Sequence, residues 1–208
     1  MISGFRVAVL VLTLMVGCWL GGGEAIAQPL SRYENPVAQE RVPLSPQSRP
    51  AAAAPLQATL VELIDLTLSA KQAHWNVDGP LFYSLHQLLQ EFAEDYRAEA
   101  DVVAEQLLAL GHTADGRPGV VQTTADLPTF PAGYIDDNRV LDVLSRRLNT
   151  VDGRIRDRID DLDQTDLVTQ DVLIEVERKI DEHLWMLRVF QQRSDGSQRI
   201  SSKNPSGS

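Results

Sequence analysis

The chain has 208 residues and a formal net charge of −10, a length sufficient for one ordinary domain and its tails. This negative charge argues against binding of the whole surface to nucleic acid or to an anionic membrane. Cys18 is the single cysteine, so a disulfide within the chain is excluded.

The N-terminal segment has the pattern of an export signal. Arg6 precedes an apolar run over residues 7–20, and small residues at Ala25 and Ala27 fit a signal peptidase cut after Ala27. We predict a signal peptide over residues 1–27 and an exported, periplasmic or extracytoplasmic protein. Residues 15–18 resemble a lipoprotein box, so lipidation at Cys18 is the alternative. Membrane attachment is expected only in that case. An uncleaved anchor is disfavoured because the apolar run is short.

Two further segments lack an apolar period. Residues 28–55 are rich in Pro, Ala, Ser and Gln, which predicts a disordered linker. Residues 193–208 are polar, with Gly and Ser, which predicts a disordered tail. The folded domain is therefore expected over residues 56–192.

Four helical stripes of apolar residues follow one another in this domain. The first begins at Leu56 and ends before a turn at residues 78–80, and the second runs from Leu85 to Leu110, with Gly111 in the position of a helix C-cap. The third covers residues 141–162 and the fourth residues 173–187, with Thr165 or Asp166 as its N-cap. The pattern predicts an all-α four-helix bundle with a connection of over twenty residues between the second and third helices.

Candidate metal ligands lie on the first two helices. His74 is near the end of the first, His86 is early in the second, and Asp101 and Glu105 are four residues apart late in the second, on one face. Imidazole and carboxylate groups suit iron. Either half alone is weak evidence, because a histidine at a helix end is more often packed and an acidic pair is more often solvated.

The length of the second helix constrains any site that these residues form. His86 and Asp101 are fifteen residues apart, which is roughly 22 Å along a helix. Either they do not share a site, or two chains supply its two halves. An antiparallel pair of second helices about a twofold axis would place His86 of one chain opposite Asp101 and Glu105 of the other, and would create two equivalent sites.

The motifs resemble those of a known family. Residues 71–80 (KQAHWNVDGP), with Phe82 and Leu85-His86, resemble the first signature of the Dps family, the DNA-binding proteins from starved cells, which are ferritin-like. Residues 101–105 with 110–111 resemble its continuation, and residues 182–187 its fourth-helix motif. The resemblance covers residues 56 to about 191 and implies a ferritin-like four-helix bundle.

The resemblance also implies functional residues. It makes His74, His86, Asp101 and Glu105 ferroxidase ligands that hold iron in two positions at an intersubunit site. Gln90 departs from the family, which usually has Asp there, and a neutral amide implies a weaker second iron position. Trp75 resembles an aromatic residue that intercepts oxidising equivalents, with plain packing as the alternative. The other two histidines are expected to be non-ligands, with His183 structural and His112 exposed.

The implied function is a ferroxidase and iron-storage mini-ferritin that protects against oxidative stress. Twelve subunits, built from twofold dimers, would oxidise ferrous iron with hydrogen peroxide or oxygen. The alternative is a non-catalytic protein on the same fold that sequesters a divalent metal or acts as a scaffold. DNA binding is not expected, because the tails carry few basic residues. One sequence cluster either lines an ion pore or forms a solvated acidic loop: Asp160, Asp161, Asp163 and Asp166.

Overall fold

Four long helices and one short helix make up most of the described part of the chain, which in this computed structural model is residues 41–202, with side chains to residue 192. The long helices are α1 (Arg49–Asn76), α2 (Phe82–Ala109), α4 (Asp137–Leu162) and α5 (Leu167–Ser202), and the short one is α3 (Pro118–Thr124). Their apolar stripes meet in one core, so the predicted four-helix bundle is confirmed. The predicted signal peptide and residues 28–40 of the predicted linker lie outside the described residues.

The long connection between α2 and α4 returns the chain to the end of the bundle where α1 finishes. Strand β1 (Val77–Asp78) follows α1 directly, and strand β2 (Ile135–Asp136) directly precedes α4. The two pair in parallel, with Val77 opposite Ile135. The end of α1 and the beginnings of α2 and α4 therefore meet at one end of the bundle, and this end carries the two candidate histidines.

Gly79 fixes the turn between α1 and α2. Its φ of +126° is a conformation that residues with a side chain rarely adopt, and a Cβ there would lie 2.6 Å from Asp137 Oδ2. The same Asp137 oxygen accepts a hydrogen bond of 2.8 Å from the backbone N–H of Leu81, immediately before α2. This tight packing sets the position of the first turn of α2 relative to α4.

The first and last helices of the bundle extend beyond the predicted domain bounds, residues 56–192. Helix α1 begins at Arg49, with Pro50 in its first turn, and Ala52 and Ala53 are completely buried. Alanine gives little apolar periodicity but has the highest helix propensity, and burial of these small side chains stabilises the added turns. At the other end, the backbone of α5 remains helical to Ser202, because extending an existing helix is far easier than starting one and no proline interrupts it.

Two predicted helix caps are confirmed in detail. Gly111 has a φ of +76°, and the N–H of His112 bonds to the carbonyl of Leu107 in a Schellman motif that ends α2. Asp166 caps α5, since its side chain accepts from the N–H of Thr169 at 3.2 Å. His112, which follows the Schellman glycine, is 3% exposed, so the prediction that it is exposed is wrong.

Candidate metal centre

His74 and His86 form a locked pair across the turn between α1 and α2. Their rings stack with centroids 3.7 Å apart and planes inclined by 19°. The Nδ1 of His74 lies 2.7 Å from the carbonyl oxygen of His86, and the Nδ1 of His86 lies 2.8 Å from the carbonyl oxygen of His74. A sequence separation of twelve residues thus becomes direct contact.

These reciprocal bonds determine which ring nitrogens are available. A carbonyl oxygen only accepts, so each Nδ1 must carry a proton and donate it. In the neutral ring the Nε2 atom then keeps its lone pair, and this is the arrangement in which a histidine binds a metal while a backbone group orients it. Burial lowers the pKa of His74; the bond to the His86 carbonyl opposes this shift, and the charges of His86 and Lys71 add to it. The neutral, metal-binding form of His74 is therefore favoured.

Asp101 and Glu105 form the second half of the predicted set. Both are exposed on α2, and neither makes an ion pair or a side-chain hydrogen bond within the described part of the chain. At about 100° per residue, His86, Asp101 and Glu105 lie within about 100° of one another around α2. Two carboxylates that face outward without partners can take part in a contact with another molecule.

The two halves do not meet within one chain. Helix α2 is continuous from Phe82 to Ala109, so the separation of roughly 22 Å between His86 and Asp101 is real. The structure brings His74 to His86 and keeps Asp101 beside Glu105, but it leaves one pair far from the other. A single ion can contact all four residues only if a second chain supplies one half.

Gln90 lies next to the histidine pair and is already occupied. Its amide oxygen accepts a short hydrogen bond from the Lys71 ammonium, and its amide nitrogen donates to Glu94. Lys71 also lies 5.4 Å from the centre of the Trp75 ring. A neutral amide held by a lysine is a poor cation ligand, which gives the departure at this position a structural basis. Trp75 itself is 64% exposed, so packing within its own chain does not explain it.

A second acidic group was not apparent from the sequence. Oxygen atoms of Asp152, Glu177 and Asp181 lie within 4.8 Å of one another between α4 and α5. Arg156 contacts all three, at 3.1 Å from Asp152 and 2.9 Å from Asp181. Burial, followed by the charge of Asp181, raises the pKa of Glu177. The guanidinium already offsets part of the negative charge of this group. Its members come from two helices, so spacing along the chain could not reveal them.

His183 has the buried, structural position that the sequence suggests. It is 2% exposed, and its ring stacks on Phe92 with centroids 3.8 Å apart. Its Nδ1 lies 2.9 Å from the Tyr96 hydroxyl, and its Nε2 lies 3.1 Å from Asp95 Oδ2. Burial lowers the pKa of His183 to about 4, against the effect of Asp95. The ring is therefore neutral at neutral pH.

Comparison with known proteins identifies the class first. Residues 53–195 match the sequence profile of the ferritin-like domain. DNA protection during starvation protein 2 of Deinococcus radiodurans is 42% identical over 139 residues, 67% of this chain and 58% of that protein. The DNA protection during starvation protein of Agrobacterium fabrum is 37% identical over 66% of this chain and 85% of its own length.

Solved structures of similar proteins support the same class. A Dps crystal structure from Deinococcus radiodurans has 40% identity and a TM-score of 0.68, with 69% of this chain and 87% of that chain covered. Dps from Microbacterium arborescens, solved in its high iron form, has 31% identity and a TM-score of 0.68, with 70% and 95% covered. The chain belongs to the Dps family of ferritin-like proteins. It spans only 58% of the length of DNA protection during starvation protein 2 of Deinococcus radiodurans.

Proposed function

We propose that the protein is a ferroxidase and iron-storage mini-ferritin whose iron sites lie between two copies of the chain. The observation that carries this proposal is the pair of stacked histidines with fixed tautomers, together with two unpartnered carboxylates on the same face of α2. Two α2 helices packed antiparallel about a twofold axis would place each histidine pair against the other chain's carboxylates. By the family likeness, twelve subunits would assemble from such dimers.

In this proposal ferrous iron is the substrate. His74 and His86 supply neutral nitrogen ligands, and Asp101 and Glu105 supply charge that balances the ferric product. Hydrogen peroxide, or oxygen, takes the electrons, and ferric mineral collects inside the shell. Each site would hold iron in two positions. The second would be the weaker, because Gln90 offers a neutral amide that Lys71 already binds.

The primary test measures the ferric absorbance after addition of ferrous iron and peroxide. We expect His74→Ala and Glu105→Ala to lose most of the initial rate. Asp157→Ala is the matched control, because Asp157 is also an exposed carboxylate without an ion pair in the described part of the chain, but it lies on α4. Equal rates in Glu105→Ala and Asp157→Ala would refute the assigned role of Glu105.

Mixed oligomers test whether the site is shared between chains. His86→Ala and Glu105→Ala subunits are each expected to be inactive alone. If they are co-expressed and pair at random, half of the dimers are mixed, and one of the two sites in each mixed dimer is intact, so about a quarter of the wild-type rate should return. A site within one chain predicts no recovery.

The arrangement of Gln90 favours one alternative: the same fold sequestering a divalent metal without turnover. A titration with ferrous iron under anaerobic conditions, followed by peroxide, separates the two functions. Tight binding without a rise in ferric absorbance would favour sequestration. The variant Gln90→Asp, combined with Lys71→Met so that the new carboxylate is not captured, should then gain oxidation.

We further propose that the protein acts outside the cytoplasm and does not compact DNA. The predicted signal peptide, residues 1–27, and the net charge of −10 support this proposal. Mass spectrometry of the mature protein from cell fractions should find a chain that begins at Gln28; a lipid on Cys18 would support the lipoprotein alternative. A salt-sensitive gel shift at low micromolar protein would contradict the expectation for DNA.

A further inference from the structure

Tyr96, His183 and Asp95 form a continuous chain of hydrogen bonds from the core to the surface. The Tyr96 side chain is 1% exposed, and its hydroxyl contacts Nδ1 of His183 at 2.9 Å. On the other side of the ring, Nε2 lies 3.1 Å from Oδ2 of Asp95, a side chain that is 40% exposed. Lys179 lies 3.5 Å from the same oxygen.

The donor at each bond follows from chemistry. A carboxylate oxygen only accepts, so Nε2 carries the proton of the neutral imidazole. Nδ1 then has a free lone pair and accepts from the Tyr96 hydroxyl. Stacking against Phe92 holds the ring in this orientation. The phenol therefore donates to the imidazole, and the imidazole donates to the carboxylate, so both protons point toward the solvent-exposed end of the chain of hydrogen bonds.

We propose that Tyr96 is a redox-active residue that donates one electron during iron oxidation while its phenolic proton passes to His183. A buried phenol cannot lose an electron easily unless its proton leaves at the same time, and burial raises the pKa of Tyr96 well above its ordinary value. His183 takes this proton on Nδ1 and passes its Nε2 proton to Asp95. The ring thus stays neutral inside the core.

This role rests on the proposed ferroxidase function and deepens it. Reduction of hydrogen peroxide to two waters needs two electrons and two protons, whereas one ferrous ion supplies one electron. Where the weaker iron position is empty, Tyr96 supplies the second electron and its proton, and solvent supplies the other proton. The products are one ferric ion, one phenoxyl radical and two waters. A later ferrous ion and a proton then restore the phenol.

Position also suits this role. Tyr96 lies on the same helix as Asp101, about 7.5 Å from it along the helix axis, so an electron can pass between them through one continuous element. The other described tyrosines differ in burial and in partner: Tyr83 is 73% exposed and Tyr134 is 88% exposed. Neither has a histidine acceptor among the described residues.

The test uses a full-length oligomer in which Tyr96 is the only tyrosine, made by changing Tyr33, Tyr83 and Tyr134 to Phe. In one arm the iron-free protein is treated with hexachloroiridate(IV), a one-electron oxidant. In the other arm ferrous iron below site saturation is followed by peroxide. Electron paramagnetic resonance should detect a phenoxyl radical in both arms, and further change of Tyr96 to Phe should abolish it.

His183→Gln separates the relay from a purely structural role, because an amide can fill the space but cannot accept the proton. We expect radical yield to fall about tenfold or more in both arms, with the folded oligomer retained. Unchanged yield in His183→Gln, or an equal signal after loss of Tyr96, would overturn the proposal. Iron oxidation without a radical in the second arm would also overturn it. If iron is not oxidised at all, the proposed function fails and the iridate arm alone decides the relay.

Discussion

His183 should make the protein less stable as the pH falls from 7 to 5. Its pKa in the folded protein is about 4, against an ordinary value of 6.5, because the ring is buried. Between these two pKa values, His183 is protonated in the unfolded chain but neutral in the folded chain. Protonation of His183 therefore costs no free energy of unfolding above about pH 6.5. The cost grows as the pH decreases and reaches its full value below about pH 4.

The size of the effect follows from the same two values. The complete shift corresponds to about 3 kcal/mol per subunit, and at pH 5 about 2 kcal/mol of it is already lost. The ring is 2% exposed, so solvent screening reduces this figure little. Urea unfolding at fixed protomer concentration gives the measurement, since the stability of an oligomer depends on concentration.

His183→Gln is the control, because glutamine keeps a polar side chain for Tyr96 and Asp95 but does not titrate. Carboxylates elsewhere contribute equally to both proteins, and the difference between the two isolates His183. Wild type should lose about 2 kcal/mol more than the variant between pH 7 and pH 5. An equal loss in the two proteins would refute the reasoning.

Three other perturbations test the surroundings of the site. Gly79→Ala should lower the free energy of unfolding, measured with urea, by at least about 1 kcal/mol, because the new Cβ would meet Asp137 and φ is positive. Glu62→Ala should cost about 3 kcal/mol in the same assay, since its 3% exposed carboxylate pairs with two arginines; Glu62→Gln should cost less. Lys71→Met should tighten Zn²⁺ binding about fivefold by calorimetry, because it removes a positive charge that acts on His74; unchanged affinity would contradict this.

The sequence predicts the parts of this structure that depend on local pattern. Helix periodicity and caps depend on neighbouring residues, so the four stripes, Gly111 and Asp166 were all predictable. The boundary at Arg49 was not, because it depends on burial of Ala52 and Ala53 against other helices. Polar or small segments can thus extend a bundle helix without any apolar signal.

The candidate site also combines features that the sequence predicts with features that only tertiary structure creates. Spacing predicts that His74 and His86 are on adjoining helices, but the exchange of bonds between each ring and the other residue's carbonyl requires the turn geometry that Gly79 allows. The contact of Tyr96 with His183 joins residues 87 positions apart and leaves no signal in either segment. Tertiary packing alone creates it.

In the proposed function, the separation of the two candidate ligand pairs makes assembly a condition for chemistry. A free chain has two stacked imidazoles at one end of α2 and two unpartnered carboxylates near the other, and neither pair alone surrounds an ion. Because the helix is stiff, no motion within the chain can close roughly 22 Å. If the sites form between subunits, iron would be oxidised only after dimers exist. Peroxide and ferrous iron would then react at the shell and not on isolated chains, which limits radical release before a storage cavity is available.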